Sequence, residues 1–261
     1  MVDTGKHRRL LIRPGAIGDF IVSLPAMEAL RTEWTEVWCA GQNVPLARFA
    51  DRAISIAAAG LDRLGFLPAE EVTERLRSFD SIISWYGANN ATFQALTLDT
   101  LKLNMTFLPA LPEGGRHALE FYRKQATGLG AHDVARTPRL ACPQVPRTFA
   151  AIHPFASSAR KQLPMQVFEN AAERLARTMP VYWLRGPEDQ LAKAVHIPDL
   201  YDLGCRLAGA RVLVGNDSGI AHLAAAVGTP VLALFGGANP RHWAPRGPAV
   251  AANVRYLLQV K

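Results

Sequence analysis

Short apolar runs closed by turn residues alternate with helix-period stretches from one end of the chain to the other, and this alternation limits the fold more than any other feature. Strands that each hand over to a helix pair in parallel, with the helix crossing back over the sheet, so the pattern predicts an α/β protein. In the first half, residues 9–13, 37–40, 53–58 and 81–85 read as strands, and residues 19–31, 70–77 and 119–126 as helices. A tract at 137–147, TPRLACPQVPR, then interrupts the rhythm, because Pro138, Pro143 and Pro146 forbid helix and favour extended chain. The rhythm restarts with strands at 149–153, 181–184, 211–215 and 230–235 and helices at 164–177, 188–195, 200–208 and 218–227. Two domains are therefore expected, 1–140 and 141–261, with ligands bound beyond the carboxyl ends of strands in a cleft that the two domains face.

Composition narrows the class. A chain of 261 residues with 49% hydrophobic and 20% charged content can bury a full core, which sets disorder aside. Stretch 21–30 is broken by Ser23, Pro25 and Glu28, and stretch 220–235 by His222, Gly228 and Pro230, so no membrane span is expected. The first residues read as a first strand and a cytoplasmic start, since Arg13, Pro14 and Asp19 interrupt what would otherwise suggest a leader. Cys39, Cys142 and Cys205 are odd in number and lie far apart outside any CxxC spacing, so they are expected reduced and mostly buried, with neither a disulfide framework nor a zinc site. Twenty-nine Lys and Arg against 22 Asp and Glu leave a formal charge of +7. That field favours anionic partners: a phosphorylated metabolite, an anionic membrane face or nucleic acid. Nucleic acid is disfavoured because the charges are scattered and aromatics do not interleave a basic run.

Chemistry is expected where strands give way to helices. After the first strand comes RPGAIGDF, in which Gly15 and Gly18 free the backbone for a tight turn and Asp19 either caps the following helix or serves as a functional carboxylate. Its G-x-x-G spacing is not the dinucleotide fingerprint, which speaks against NAD. After strand 149–153 comes HPFASSARKQLP, where Ser157, Ser158, Arg160 and Lys161 suit a phosphate near a helix start, or simply form a basic surface turn. It lacks the Walker spacing. After strand 211–215 comes NDSGIAHLAAA, where Asp217 or Ser218 would cap a helix whose first amides face a ligand. Gly219 costs roughly 1 kcal/mol in a helix relative to Ala, which suggests that a ligand or backbone approaches closely there. His222, one turn in, reads either as a core histidine or as a ligand contact. In WLRGPEDQ, Glu188 would cap the next helix or grip ribose hydroxyls.

Taken in order, LLIRPGAIGDFIVSLPAMEALR, IHPFASSARKQLP and LAGARVLVGNDSGIAHLAAAVGTPVLALFG resemble glycosyltransferase family 9, the ADP-heptose:lipopolysaccharide heptosyltransferases and their relatives. The resemblance implies a GT-B fold, two Rossmann-like doubly wound domains facing a cleft, with acceptor on the first and donor on the second. It also implies inverting transfer from a nucleotide-sugar, an ADP-sugar such as ADP-heptose, without metal or other cofactor, to a lipopolysaccharide-core or related glycan; the alternatives are a relative with a different nucleotide-sugar or a small-molecule acceptor, or a nucleotide-sugar-binding protein that has lost transfer. By position Asp19 matches the general base, on the acceptor-side turn with Gly15 and Gly18. Ser157, Ser158 and Lys161 match donor-phosphate contacts, Glu188 the ribose-binding acid, and Asp217, Ser218, Gly219 and His222 the donor-side motif. A soluble cytoplasmic enzyme working at an anionic inner-membrane face would follow. Two departures stand out: a reduced middle around 85–112, and no helix after Trp243 to cross back to the first domain. Arg63, Arg116, His117 and Arg123 are candidates for an anionic acceptor, though solvated surface charge is the simpler reading of each.

Overall fold

A computed structural model describes residues 5–64, 70–112, 115–237 and 239–253, with side chains of 249–253 left aside. Contacts gather the chain into two units. The first comprises Met1–Ala16, Pro25–Gly114 and Phe121–Ala135, and the second Ile17–Leu24, Gly115–Glu120 and Arg136–Lys261.

The first unit is built on a parallel sheet. Its elements run β1 (Arg8–Arg13), α1 (Ile17–Ala29, whose first half is grouped with the second unit), β2 (Trp34–Cys39), β3 (Arg52–Ser55), α2 (Ile56–Ala59), α3 (Glu70–Arg77), β4 (Ser81–Ser84), α4 (Ala91–Gln94), β5 (Met105–Phe107) and α5 (Ala118–Gly128, grouped with the second unit up to Glu120). The strand order is β3-β2-β1-β4-β5. The order reverses between β1 and β4, whose carboxyl ends are Arg13 and Ser84. Leu10, Ile12, Trp38, Leu76, Phe79, Ile82 and Phe93 form the core on one sheet face. The strand expected over 53–58 stops at Ser55, because the Ser55 hydroxyl accepts from the Ala58 amide at 3.0 Å and starts the helical turn α2. Strand β5 was not expected from the sequence: three residues are too few to show a period.

The second unit holds a six-stranded sheet. Its elements are β6 (Phe149–His153), α6 (Met165–Ala176), β7 (Val181–Leu184), β8 (Ala194–Val195), α7 (Leu200–Ala208), β9 (Ala210–Asn216), α8 (Gly219–Ala226), β10 (Val231–Phe235), α9 (Pro240–Trp243) and β11 (Ala249–Asn253). The order is β11-β10-β9-β6-β7-β8, every described pairing parallel. All five residues of β6 are buried, as a central parallel strand covered on both faces requires. From β6 the chain builds outward through β7 and β8, then returns to the other side at β9. The point where a ligand crevice opens in such a sheet is therefore between the carboxyl ends of β6 and β9, at His153 and Asn216.

One expected helix is absent. Residues 188–195 form a loop and the edge strand β8, paired through Trp183 with Ala194 and Leu184 with Val195. A helix of eight residues, hemmed in by Pro187 and Pro198, is marginal. Laid along the sheet edge instead, they put Ala194 and Leu191 into the core with Trp183, Ile152 and Phe168. The cysteines differ as well: Cys39 is buried, but Cys142 and Cys205 are half-exposed. Among the described residues no helix is long and apolar enough to cross a membrane.

Candidate active site

The loop after β6 and the loop after β9 are tied together by Asn216. Its Nδ2 donates to the Pro154 carbonyl and its Oδ1 accepts from the Leu163 amide at 3.2 Å, so one fully buried side chain clamps both ends of the 154–163 loop. Gly215 permits this closeness, since a Cβ there would lie 2.8 Å from the His153 carbonyl oxygen.

Within the clamped loop, Lys161 reaches back to the end of β9, and its Nζ lies 2.9 Å from Oδ2 of Asp217. Asp217 is only 4% exposed, and the ammonium approaches off the hydrogen-bonding direction, so this oxygen keeps an unmet acceptor among the described residues. A buried carboxylate is tolerable here because a cation sits beside it. The Asp217 amide donates to the Leu234 carbonyl, which fixes the turn to β10.

Ser218 holds the N-cap position of α8, with φ −148° and ψ 163°, but its hydroxyl makes no bond to the helix amides. It lies instead 3.3 Å from Nδ1 of His153. Burial holds the His153 imidazole down to about 4, with the Asp189 charge opposing, so the ring is neutral near pH 7. Neither Asp217 nor Ser218 therefore satisfies the start of α8 with its side chain. The positive end of that helix is left for another anion.

The first turn of α1 packs on the same place, within the second unit. A Cβ on Gly219 would lie 2.6 Å from Cβ of Ile17 and 3.1 Å from the Gly18 nitrogen, and a Cβ on Gly18 would lie 3.2 Å from Cδ2 of His222. The close approach suggested for Gly219 is thus that of Ile17 and the Gly18 backbone. Gly18 is likewise a packing requirement inside helix α1 and not part of the turn. The turn itself falls to Gly15, whose φ of 114° suits glycine. The Gly15 carbonyl accepts from Nδ2 of the fully buried Asn43 at 3.1 Å. Asp19 is half-buried in the first turn of α1.

His222 is 4% exposed and bonds to the backbone of Trp243. Burial first, then the charges of His117 and Lys161, hold its imidazole down to about 4. His117 is no surface charge: it is buried, its Nε2 lies 2.9 Å from the Ala244 carbonyl oxygen, and its Nδ1 accepts from Leu119. Burial lowers its pKa also. Consecutive backbone positions, 243 and 244, thus hold two neutral histidines beside the start of α8.

The other expected residues make none of these contacts. Ser157 and Ser158 are exposed and precede a single 3-10 turn, Ala159–Lys161, so they do not open an α-helix. Glu188 is exposed in a bend with no helix after it to cap, and its neighbour Asp189 holds the turn by accepting from the Gly186 amide at 2.7 Å. Arg63 and Arg116 are exposed, while Arg123 donates to the Val134 carbonyl at 3.1 Å. In the first unit, the end of β1 is secured by Arg13, 1% exposed, which donates to Tyr122 Oη and lies 4.8 Å over that ring. The sequence alone assigns no role to Asn43, Arg13, His153 or Asn216, although Asn216 stands in the polar cluster at the sheet edge. For the last two the signal was placement: polar residues at the carboxyl end of central strands.

Two doubly wound parallel sheets define the α/β GT-B class of glycosyltransferases, and solved structures agree. A family 9 glycosyl transferase from Veillonella parvula DSM 2008 aligns at TM-score 0.71 and 16% identity over 98% of this chain and 90% of that one. E. coli heptosyltransferase WaaC with ADP aligns at 0.72 and 18% over 97% and 96%. E. coli ADP-heptose lps heptosyltransferase II aligns at 0.70 and 17% over 94% and 90%. No curated protein sequence matches the chain significantly. The family model described as glycosyltransferase family 9 (heptosyltransferase) matches residues 115–257, more than half of the chain. The chain belongs to that family and is a glycosyltransferase.

Proposed function

We propose that this glycosyltransferase moves a sugar, with inversion and without a metal, from an ADP-sugar, with ADP-heptose the first to test, to a lipopolysaccharide-core or related bacterial glycan. The observation that carries this reading is the 2.9 Å approach of Lys161 to Asp217 beside the uncapped start of α8, which gathers a cation and helix amides where a diphosphate would rest. The WaaC structures were solved with ADP and with ADP-2-deoxy-2-fluoro heptose, which supports an adenine nucleotide-sugar as donor here.

Residues 1–140 take the acceptor and 141–261 the donor. The Asp19 carboxylate removes the proton from an acceptor hydroxyl as that oxygen bonds to the anomeric carbon. The bond from this carbon to the β-phosphate oxygen breaks, and its electron pair leaves with ADP. Charge growing on the diphosphate is met by Lys161, by Ser157 and Ser158, and by the amides at Ser218 and Gly219. Asp217 holds the ammonium in place beforehand, His222 backs the helix start, and Glu188 takes the ribose hydroxyls. Attack from the face opposite the leaving group inverts the anomeric centre. The positive net charge suits a cytoplasmic enzyme visiting an anionic membrane face.

The deciding experiment incubates the protein with ADP-heptose and a deep-core acceptor in excess EDTA, and reads the product's anomeric configuration by NMR. Turnover with inversion is expected. Retention, or a strict need for a divalent ion, overturns the mechanism. A thermal-shift comparison of ADP-, UDP-, GDP- and dTDP-sugars tests the base, since the true donor raises apparent stability most.

A further inference from the structure

The sulfurs of Cys142 and Cys205 lie 3.2 Å apart, although the residues are 63 positions apart in sequence. We propose that this pair is a redox modification site: the two thiols close a reversible intramolecular disulfide that fastens the proline-rich 137–147 tract to helix α7. The proposal does not depend on the transferase mechanism above.

The juxtaposition follows from contacts on either side of Cys142. The Leu140 amide donates to the Ala226 carbonyl at 3.0 Å, and its buried side chain packs on Gly204, where an added Cβ would meet Leu140 Cδ2 at 3.4 Å. Gly204 is the residue before Cys205. At the other end, Arg147 donates to the Gly228 carbonyl at 2.7 Å, and its own carbonyl accepts from Arg211 at 3.0 Å. Cys142 is thus suspended between two anchored points directly over α7. A disulfide needs about 2.05 Å between sulfurs, and the remaining approach is a side-chain adjustment at Cys142, in a tract whose prolines exclude a rigid ladder.

Access favours oxidation as well. Both residues are half-exposed, and Cys142 lines an open cavity of about 760 Å³ together with Arg139, Leu140, Arg147, Val227 and Gly228. Cys39 is the contrast: fully buried, its thiol pushed up to about 12 by burial, and inert to the same oxidant. With a peroxide as oxidant, one sulfur attacks oxygen, the O–O bond breaks, and a sulfenic acid and water result. The second sulfur then attacks the first, forming S–S and expelling a second water, so two thiols and one hydrogen peroxide give one disulfide and two waters. A thiol such as glutathione reverses it by exchange.

The test treats the full-length reduced protein with hydrogen peroxide, blocks remaining thiols, and digests with trypsin without reductant. The expected product is peptide 140–147 joined to peptide 194–206, two hydrogens lighter than the two peptides together, with Cys39 recovered as a thiol. Oxidation should raise the unfolding midpoint by several degrees and slow tryptic cleavage after Arg139 and Arg147, both reversed by dithiothreitol. Cys205→Ser should lose the linked peptide and both effects while keeping the reduced protein's midpoint. Separate recovery of the two peptides as sulfinic or sulfonic acids, a link between two chains, or an equal midpoint shift in Cys205→Ser would overturn the proposal.

Discussion

Replacing Gly219 by alanine should impair transfer far more than it impairs folding. The new Cβ would stand 2.6 Å from Ile17 Cβ, 3.0 Å from Ile17 Cγ2 and 3.1 Å from the Gly18 nitrogen. Carbons pack comfortably at about 3.5–4.0 Å. A Cβ does not move with rotamer, so relief comes only by sliding the start of α1 away from the start of α8, by roughly 1 Å. Alanine's better helix propensity, worth up to about 1 kcal/mol, offsets part of an overpacking cost of about 1–3 kcal/mol. The net stability loss is therefore at most about 2 kcal/mol. The same slide moves Asp19, two residues beyond Ile17, relative to the helix start proposed to take the donor phosphates. A misplacement of about 1 Å costs on the order of 100-fold in rate, equivalent to about 2.7 kcal/mol of barrier. Initial rates of ADP release, beside circular dichroism and thermal melts, separate the two effects. Adding Ile17→Gly should recover about tenfold of the lost rate, whereas Ile17→Ala, which keeps its Cβ, should recover little. Full activity in a folded Gly219→Ala protein, or equal rescue by both partners, refutes the reasoning.

Three further outcomes are expected. Asp19→Ala should lower transfer by about 10²–10⁴-fold, the range typical of a lost general base, while calorimetric donor affinity stays within about twofold. Normal turnover in that variant would remove Asp19 from the role of base. Lys161→Ala should weaken the donor by roughly 10- to 100-fold, the scale of a charge-assisted contact, and equal affinity for wild type and variant would argue against the phosphate cradle. His153 and His222 are held to about 4 in the folded chain and regain an ordinary value near 6.5 on unfolding. The unfolded chain then binds more protons between those values. Stability is fully present above pH 6.5 and falls on acidification, by at most about 1.4 kcal/mol per pH unit for each histidine. Urea titrations at pH 7, 6 and 5 measure it. His153→Asn should flatten the slope, and an unchanged slope would show that His153 does not carry it.

The architecture was legible because it rests on periodicity. Both sheets, the long helices and the proline tract follow from apolar spacing and breakers, which depend only on neighbours in sequence. The failures share a cause as well. Residues 188–195 have helix-forming composition, yet the edge of β7 offered Ala194 and Leu191 more burial than a short exposed helix could. Ser55 ended a strand early because one hydroxyl found one amide three residues on.

At the candidate site, the sequence marks the turns between strand and helix but not the partners within them. That Asp217 or Ser218 would cap α8 is sound reasoning from local chemistry, since aspartate and serine are preferred caps. Tertiary structure offered each a different partner: Lys161 for the carboxylate, and His153 for the hydroxyl, 65 positions away. Both partners sit on the β6 side, held against β9 by Asn216. The pairing exists only because β6 and β9, distant in sequence, are neighbours in the sheet. This is why the polar cluster is informative. Two good capping side chains drawn off the helix they precede leave its amides to something else, and the only charge type those amides favour is negative. A parallel sheet reverses order at that point, and the Lys161 ammonium already stands beside Asp217. Substituting Asp217 alone would free Lys161 without restoring a cap, whereas a local cap would have been lost outright. Whether these side chains cap α8 or leave its start open is therefore decided by residues on the other side of the sheet, and no window along the sequence contains that decision.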